Sequence, residues 1–280
     1  MEKAIKRYFP IFVLPTMIAF TLGFIIPFVE GVYLSFCKFT TVNDAKFIGF
    51  ANYAKVFADE TFVHAFWYTA AFTVVSVILI NVLAFAVALL LTKGFKGTNI
   101  FRTVFFMPNL IGGIVLGYIW QLLLNGILMK FSRTLTYSST YGFWGLIILM
   151  CWQQIGYMMI IYIAGIQNIP GELIEAAEID GATKWQILKK VTIPMVMPSI
   201  TVCTFLTLTN SFKLFDQNLA LTNGEPSKMS EMLALNIFTT FYGRAGYEGV
   251  GQAKAVIFFI LVAAIALTQN YLTRRKEVQQ

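Results

Sequence analysis

Six apolar runs separated by shorter polar connections divide this chain, at 11–36, 66–92, 103–125, 142–167, 194–216 and 251–272. At 1.5 Å of rise per residue, each is long enough to cross about 30 Å of hydrocarbon. In lipid, only a helix satisfies all its backbone polar groups within one segment. The pattern therefore predicts an all-α membrane protein with six transmembrane helices, built as one transmembrane domain over residues 1–280. Pro15, Pro27, Pro108 and Pro198 fall inside three of the runs and are expected to kink or loosen their helices.

Composition agrees with the pattern. Hydrophobic residues make up 58% of the chain and charged residues 12%, against about 25% charged for a soluble domain. The net charge of +7 would suit a nucleic-acid binder, but the basic residues stand at the ends of the apolar runs, where they act as topological anchors. Connections 1–10, 93–102, 168–193 and 273–280 hold twelve Lys and Arg in 54 residues; connections 37–65, 126–141 and 217–250 hold seven in 79. The denser set belongs in the cytoplasm, so both termini are expected there. Basic residues up to Tyr8 followed by an apolar run to about Phe36, without a small-residue cleavage site, read as a retained span. Trp67, Tyr68 and Tyr141 suit interfacial positions. Cys37, Cys151 and Cys203 have no metal-ligand spacing and read as small apolar residues. In the outer connections, 50–57 and 230–242 place apolar residues at helical spacing, either to lie on the membrane surface or to meet an external partner.

The connection 168–193 has its own internal order. Pro170 and Gly171 stop the fourth run, Glu172–Ile179 is a good helix former with an acidic first turn, and Asp180-Gly181 is a breaker. Residues 182–191 then restart as a second short helix, and Pro194 opens the fifth run. Ala176, Ala177 and Ala182 leave a low-relief surface, while Trp185, Ile187 and Leu188 offer an apolar face. From the residues alone, a plain linker and a docking device are both open.

The sequence EAAEIDGATKWQILKKVTIP at 175–194 resembles the EAA loop of ABC-importer permeases, with Glu175, Ala176, Ala177, Asp180, Gly181, Ala182, Ile193 and Pro194 on the motif. Asp180-Gly181-Ala182 is the form seen in the sugar-importer branch. FIGFANYAKVFAD at 47–59, FRTVFFMPNLIGGIVLGYIW at 101–120, LALTNGEP at 219–226 and GRAGYEGVGQAKA at 243–255 extend the resemblance along most of the chain. It is to carbohydrate-uptake permeases of the maltose, glycerol-phosphate and multiple-sugar type. Gly224-Glu225-Pro226, where the family often has Gly-Gly-Pro, and the short connection 126–141 depart from the pattern.

The resemblance implies a type I importer permease fold with a cytoplasmic coupling helix, in a bacterial or archaeal inner membrane. The chain would form half of a sugar pathway, with an oligosaccharide as the preferred substrate. It also implies a second homologous permease, two ATPase subunits carrying ATP and Mg, and an extracytoplasmic sugar-binding protein. No GxxxxGK[ST] phosphate loop occurs, so hydrolysis is expected on those separate subunits and no cofactor on this chain.

Polar residues inside the runs are the candidates for the pathway: Tyr118, Gln121 and Asn125 on one stripe of the third, Trp152, Gln153 and Tyr157 in the fourth, and Thr207, Asn210 and Ser211 in the fifth. Together they supply neutral hydrogen-bonding groups and aromatic faces, as a sugar requires; singly, each also suits a bond between packed helices. Glu30, Lys213, Asp216 and Lys254 are placed toward outer span ends, where long side chains reach water. No acid occupies the centre of a run, which counts against the alternative of an ion-coupled secondary sugar carrier. A non-sugar solute such as glycerol phosphate would favour buried cations, for which only Lys213 and Lys254 qualify. His64 falls in an outer connection, and no catalytic or metal-ligating cluster is apparent.

Overall fold

Runs of Phe, Ile, Leu and Val become helices in the computed structural model of the chain, which describes residues 2–94 and 96–274. Arg275 and Lys276, counted above with the basic termini, lie outside the described residues. Among the described residues, five helices are long and apolar enough to cross a membrane: Ile11–Leu34, Glu60–Leu91, Gly113–Phe131, Ser139–Gln167 and Glu248–Gln269. A pair bent by 69°, Lys184–Met195 with Met197–Phe212, makes a sixth when taken as one span.

Two expected spans come out differently. The run 103–125 is not one helix: α5 (Thr98–Phe106) ends in a 3-10 turn, Ile111 and Gly112 are extended with ψ of 133° and 142°, and a later helix starts at Gly113. Pro108 lacks an N–H, and Gly112-Gly113 is the poorest helix-forming pair of the run, so the ladder breaks between them. The run 194–216 is broken at Val196, whose ψ is 1°. Pro194 and Pro198 bracket that residue, and neither donates to the helical ladder.

The chain falls into two units: residues up to 60 with Ile237–Ile260, and Thr61–Asn236 with the chain from Leu261 on. In the first unit, α1 (Glu2–Phe20) passes through a five-residue π turn into α2 (Ile26–Leu34). Pro27 stands just beyond the π turn and has no N–H to return to the preceding turn, which is where such widening is tolerated. None of the most apolar stretch of this span is buried. Phe20, Phe24 and Phe28 stack along it, with ring centroids 5.1 Å and 6.0 Å apart.

A two-residue ribbon follows, β1 (Cys37–Lys38) antiparallel to β2 (Lys46–Phe47). Between its strands, Asp44 accepts the backbone N–H groups of Thr40 (3.0 Å) and Thr41 (2.9 Å), which holds its carboxyl below the usual aspartate range. The segment 50–57 forms α3 (Ala51–Phe57) as expected. Its Asn52 donates to the carbonyls of Ser35 (2.9 Å) and Cys37 (2.8 Å).

Lys254 differs from its expected position at a wet span end. It is fully buried, and its Nζ donates to Asp59 Oδ2 at 2.7 Å and to Thr240 Oγ1 at 2.8 Å. A lysine with a carboxylate and a hydroxyl at this distance has no need to reach water. Replacing Lys254 by Met removes the cation paired with Asp59 and is expected to cost about 3 kcal/mol of stability. The pair Lys254→Met with Asp59→Leu is expected to recover much of that loss. Thermal unfolding of the purified assembly checks both, and a double variant no better than the single removes the ion pair as the cause.

In the second unit, α4 (Glu60–Leu91) places Phe72, Ser76, Ile80, Ala84 and Ala88 on one buried face at four-residue spacing. That face joins the core formed by Leu146, Leu149, Met150, Met158, Met159 and Tyr162 of α7 (Ser139–Gln167). Its remaining faces are apolar too and lie exposed, as for a helix that meets lipid or a partner. α4 starts earlier than expected and takes in His64, whose Nε2 lies 3.0 Å from the carbonyl of Met229.

α6 (Gly113–Leu128) carries Gly113 and Gly117 four residues apart. A Cβ on either would strike Asp216 or Ala220, so these glycines let a short helix lie against the span. Between α6 and that short helix the chain runs through α8 (Gly171–Ile179), α9 (Lys184–Ile187), α10 (Ile193–Met195) and α11 (Met197–Phe212). The short helix is α12 (Asp216–Leu221). α13 (Leu233–Gly243) fulfils the expectation for 230–242, and α14 (Glu248–Arg274) closes the described chain.

Candidate functional site

The turn after α8 is closed by its own backbone bonds. Gly171–Ile179 forms a helix whose first turn carries Glu172, complementing the positive end of the helix dipole. The helix ends because Gly181 adopts φ +76°, a left-handed conformation costly for residues with a Cβ. Gly181 N–H then donates to Glu178 O, and Ala182 N–H to Ala177 O, both at 3.0 Å. This is a Schellman closure, which satisfies carbonyls that a helix end leaves open.

The next helix starts two residues later with a second local device. Thr183 N–H donates to Gln186 Oε1 at 2.7 Å while Gln186 N–H returns to Thr183 Oγ1 at 3.4 Å, forming a capping box. The expected stop near 191 does not occur. Leu188–Thr192 is a π turn that runs directly into α10 and the bend at Val196.

Two large apolar side chains stand out among the exposed polar groups of this turn. Ile179 is 86% exposed and Trp185 69% exposed, on either side of Gly181. At the turn a cavity of about 310 Å³ is lined by Ala177, Asp180, Gly181, Ala182, Gln186 and Lys190. Ile179 and Trp185 thus stand exposed on a polar, locally capped turn. Glu175 and Ala176 are exposed along α8. Ile193 and Pro194 stand apart from the turn, at the start of the bent arm. That arm is seated on α7: Val196 is buried, and a Cβ on Gly165 would lie 2.2 Å from Ser199 Oγ.

The other candidates have distinct surroundings. Asn125 Oδ1 accepts Leu135 N–H at 2.8 Å, and Gln121 Nε2 donates to Leu221 O at 2.9 Å. Gln153 Oε1 accepts from Gln217 Nε2 at 2.8 Å, so an amide of α7 meets one of α12. Thr207 is buried; its hydroxyl donates to Cys203 O at 2.7 Å and accepts from Asn81 Nδ2 at 2.9 Å. Ser211 is buried with its hydroxyl unpartnered, and Asn210 is half-buried. Tyr118 and Trp152 are 56% and 43% exposed, and Trp152 packs edge-on against Trp120 at 5.5 Å. Tyr157 is half-buried near Phe106.

Sequence reasoning missed Asn81, Gln217 and the exposure of Ile179. Asn81 bridges Thr207 and Tyr162, whose hydroxyl donates to Asn81 Oδ1 at 2.6 Å, so one amide links α4, α7 and α11. The available signal was a lone amide within an apolar run of 27 residues. Asn81→Leu is expected to leave the Tyr162 and Thr207 hydroxyls facing apolar carbon and to lower stability by about 1–3 kcal/mol. Tyr162→Phe made in the Asn81→Leu background adds little if the network is real; additive losses in unfolding temperature speak against it.

Comparison with known proteins places these features in context. Residues 81–278 match the family model described as the binding-protein-dependent transport system inner membrane component. The chain is 42% identical over 278 residues to the probable starch degradation products transport system permease protein AmyD of Thermoanaerobacterium thermosulfurigenes, covering 96% of this chain and 94% of that one. It is 28% identical to the multiple sugar-binding transport system permease protein MsmF of Streptococcus mutans, over 99% of each. Among solved structures, one chain of a bacterial ABC transporter involved in import of the acidic polysaccharide alginate superposes with a TM-score of 0.82. That match covers 98% of both chains at 23% identity and shows a shared fold.

Proposed function

The chain belongs to the family of binding-protein-dependent transport system inner membrane components, and from that membership we propose a permease that passes starch-derived, uncharged oligosaccharides. It is a transport subunit and not an enzyme. The observation that carries the substrate class is the 42% identity, along almost the whole chain, to a starch degradation products permease. The chemistry of this chain supports it. Lys254, one of two cations available to an anionic solute, is occupied by Asp59. Tyr118, Trp152 and Asn210 are exposed or half-buried neutral groups suited to sugar faces and hydroxyls. Gln121, Asn125, Gln153 and Thr207 are engaged in bonds that set the wall behind them, with Ser211 and Tyr157 beside them in the same helices.

The whole chain serves as one permease domain in a bacterial or archaeal inner membrane, with both termini and the 168–193 connection in the cytoplasm. That topology is supported by the excess of Lys and Arg in the corresponding connections. The turn at Gly181 meets an ATPase subunit. The pair of apolar side chains at Ile179 and Trp185, with the low-relief Ala176, Ala177 and Ala182 beside Glu175 and Asp180, supports that assignment. Two such ATPases bind ATP and Mg, a second homologous permease completes the pathway, and an external sugar-binding protein delivers the solute. Movement at the turn reaches α7 and α11 through Ile193, Pro194 and the bend at Val196.

Purification from native membranes in mild detergent, with mass spectrometry of what accompanies the chain, tests the assembly. A second multi-span permease and an ATPase are the expected companions. Reconstituted with its binding protein, the assembly should hydrolyse ATP faster with neutral starch fragments than with acidic oligosaccharides. The opposite preference rejects the substrate class, and uptake by the chain alone without ATP rejects the whole reading.

A further inference from the structure

Where α4 turns into α5, two cavities of different polarity share Leu91 in their lining. One, of about 510 Å³, is the more polar, with Thr92, Asn99, Arg102 and Gln167 beside Leu91 and Ile100. The other, of about 460 Å³, is apolar and lined by Val87, Leu90, Phe101 and Phe105, with Lys93 at its margin. Arg102 divides its surroundings from those of Phe101 and Phe105 because, on α5, the two rings lie four residues apart and Arg102 projects beside that stripe. The buried Nε of Arg102 has no hydrogen-bond partner. A guanidinium N–H left in this state costs stability unless an acceptor occupies the cavity it lines. The stretch 92–102 contributes Lys93, Lys96 and Arg102 and contains no carboxylate. Within this segment the cationic groups therefore have no carboxylate to balance them.

We infer that the α4–α5 turn is a binding site for an anionic phospholipid, its phosphate in the polar cavity on Arg102 and an acyl chain along Leu90, Phe101 and Phe105. The two cavities match the two halves of an amphiphile, and a free anion would use only one of them. Arg suits the role because its guanidinium donates to a phosphate through two N–H groups at once. Lys93 and Lys96, both exposed, add attraction at the headgroup level, the arrangement that favours anionic lipid over zwitterionic lipid. Bound there, the lipid would fill the surface where α4 turns into α5, on residues of both helices. The inference rests on the membrane-spanning family fold and not on the sugar or on the ATPase contact; only the choice of the cytoplasmic leaflet depends on the proposed topology.

The test uses the assembly purified with its partner subunits, stripped of lipid in detergent and titrated separately with phosphatidylglycerol, phosphatidylcholine and inorganic phosphate, with bound species read by native mass spectrometry. Wild type should retain one phosphatidylglycerol per copy of this chain more tightly than phosphatidylcholine. Arg102→Gln should weaken that binding about tenfold, the effect of losing a charged hydrogen bond, and Arg102→Lys should restore part of it. Leu90→Trp keeps Arg102 and fills the apolar cavity from an exposed position; it should lose the lipid as well. Phosphatidylglycerol binding unchanged in both Arg102→Gln and Leu90→Trp overturns the site. Saturable, Arg102-dependent binding of inorganic phosphate without preference for phosphatidylglycerol overturns the lipid and leaves a free-phosphate site.

Discussion

Gly181→Val is expected to abolish ATP-driven sugar uptake while the assembly still forms and still hydrolyses ATP at its basal rate. Gly181 sits at φ +76°, and no atom lies within 4 Å of where its Cβ would stand. The expected effect is therefore one of backbone conformation and not of space. A side chain in the left-handed region costs roughly 1–2 kcal/mol, more when β-branched, which lowers the population of the native turn about 5- to 30-fold. Without that turn the Ala182–Ala177 closure is lost, and Ile179 and Trp185 no longer flank one surface. A graded series separates this account from a simple contact. Asn tolerates the left-handed region better than Ala, so Gly181→Asn should transport better than Gly181→Ala although it is larger. If Asn is the worse of the two, the turn acts through close approach of a partner and the conformational account fails. Uptake in cells and hydrolysis by the purified assembly are the two measurements.

The second large effect concerns Gly156→Val, which is expected to remove the chain from the membrane. A Cβ at this position would lie 1.8 Å from the carbonyl oxygen of Phe105 and 2.2 Å from its carbonyl carbon. Both are backbone atoms of α5, so no side-chain rotation relieves the overlap. Ordinary overpacking costs about 1–3 kcal/mol where neighbours yield; here α5 itself must leave α7. Gly126 in α6 has nothing within 4 Å of its would-be Cβ, so Gly126→Ala is expected to express and assemble like wild type. Immunodetection of both variants in isolated membranes decides the matter. Normal levels of Gly156→Val mean that the α5–α7 contact is looser than the packing described above.

Much of this protein was legible as a pattern. Apolar runs above 20 residues leave the backbone one way to satisfy itself in lipid, so helical spans follow from local composition. The turn at 180–182 was also legible, because Asp-Gly after a helix-forming stretch acts locally: Gly181 reaches its φ without help from distant residues. The short helices α3 and α13 follow from spacing alone.

Other features depend on what lies across the fold. Hydropathy placed a third span through Pro108 because an apolar average does not register a missing N–H; the break shortens α5 to nine residues. Lys254 was legible only as a charge near a span end, and burial became affordable because Asp59, 195 positions away, supplies the carboxylate. Gln153 and Thr207 read equally as sugar contacts or as packing groups until Gln217 and Asn81 were found beside them. The sequence by itself determined the unbroken helical spans and the glycine turn, since each follows from forces acting within one segment. Tertiary structure alone decided which polar side chains remain free, because a hydrogen bond or ion pair needs two partners and the chain brings those partners together only on folding.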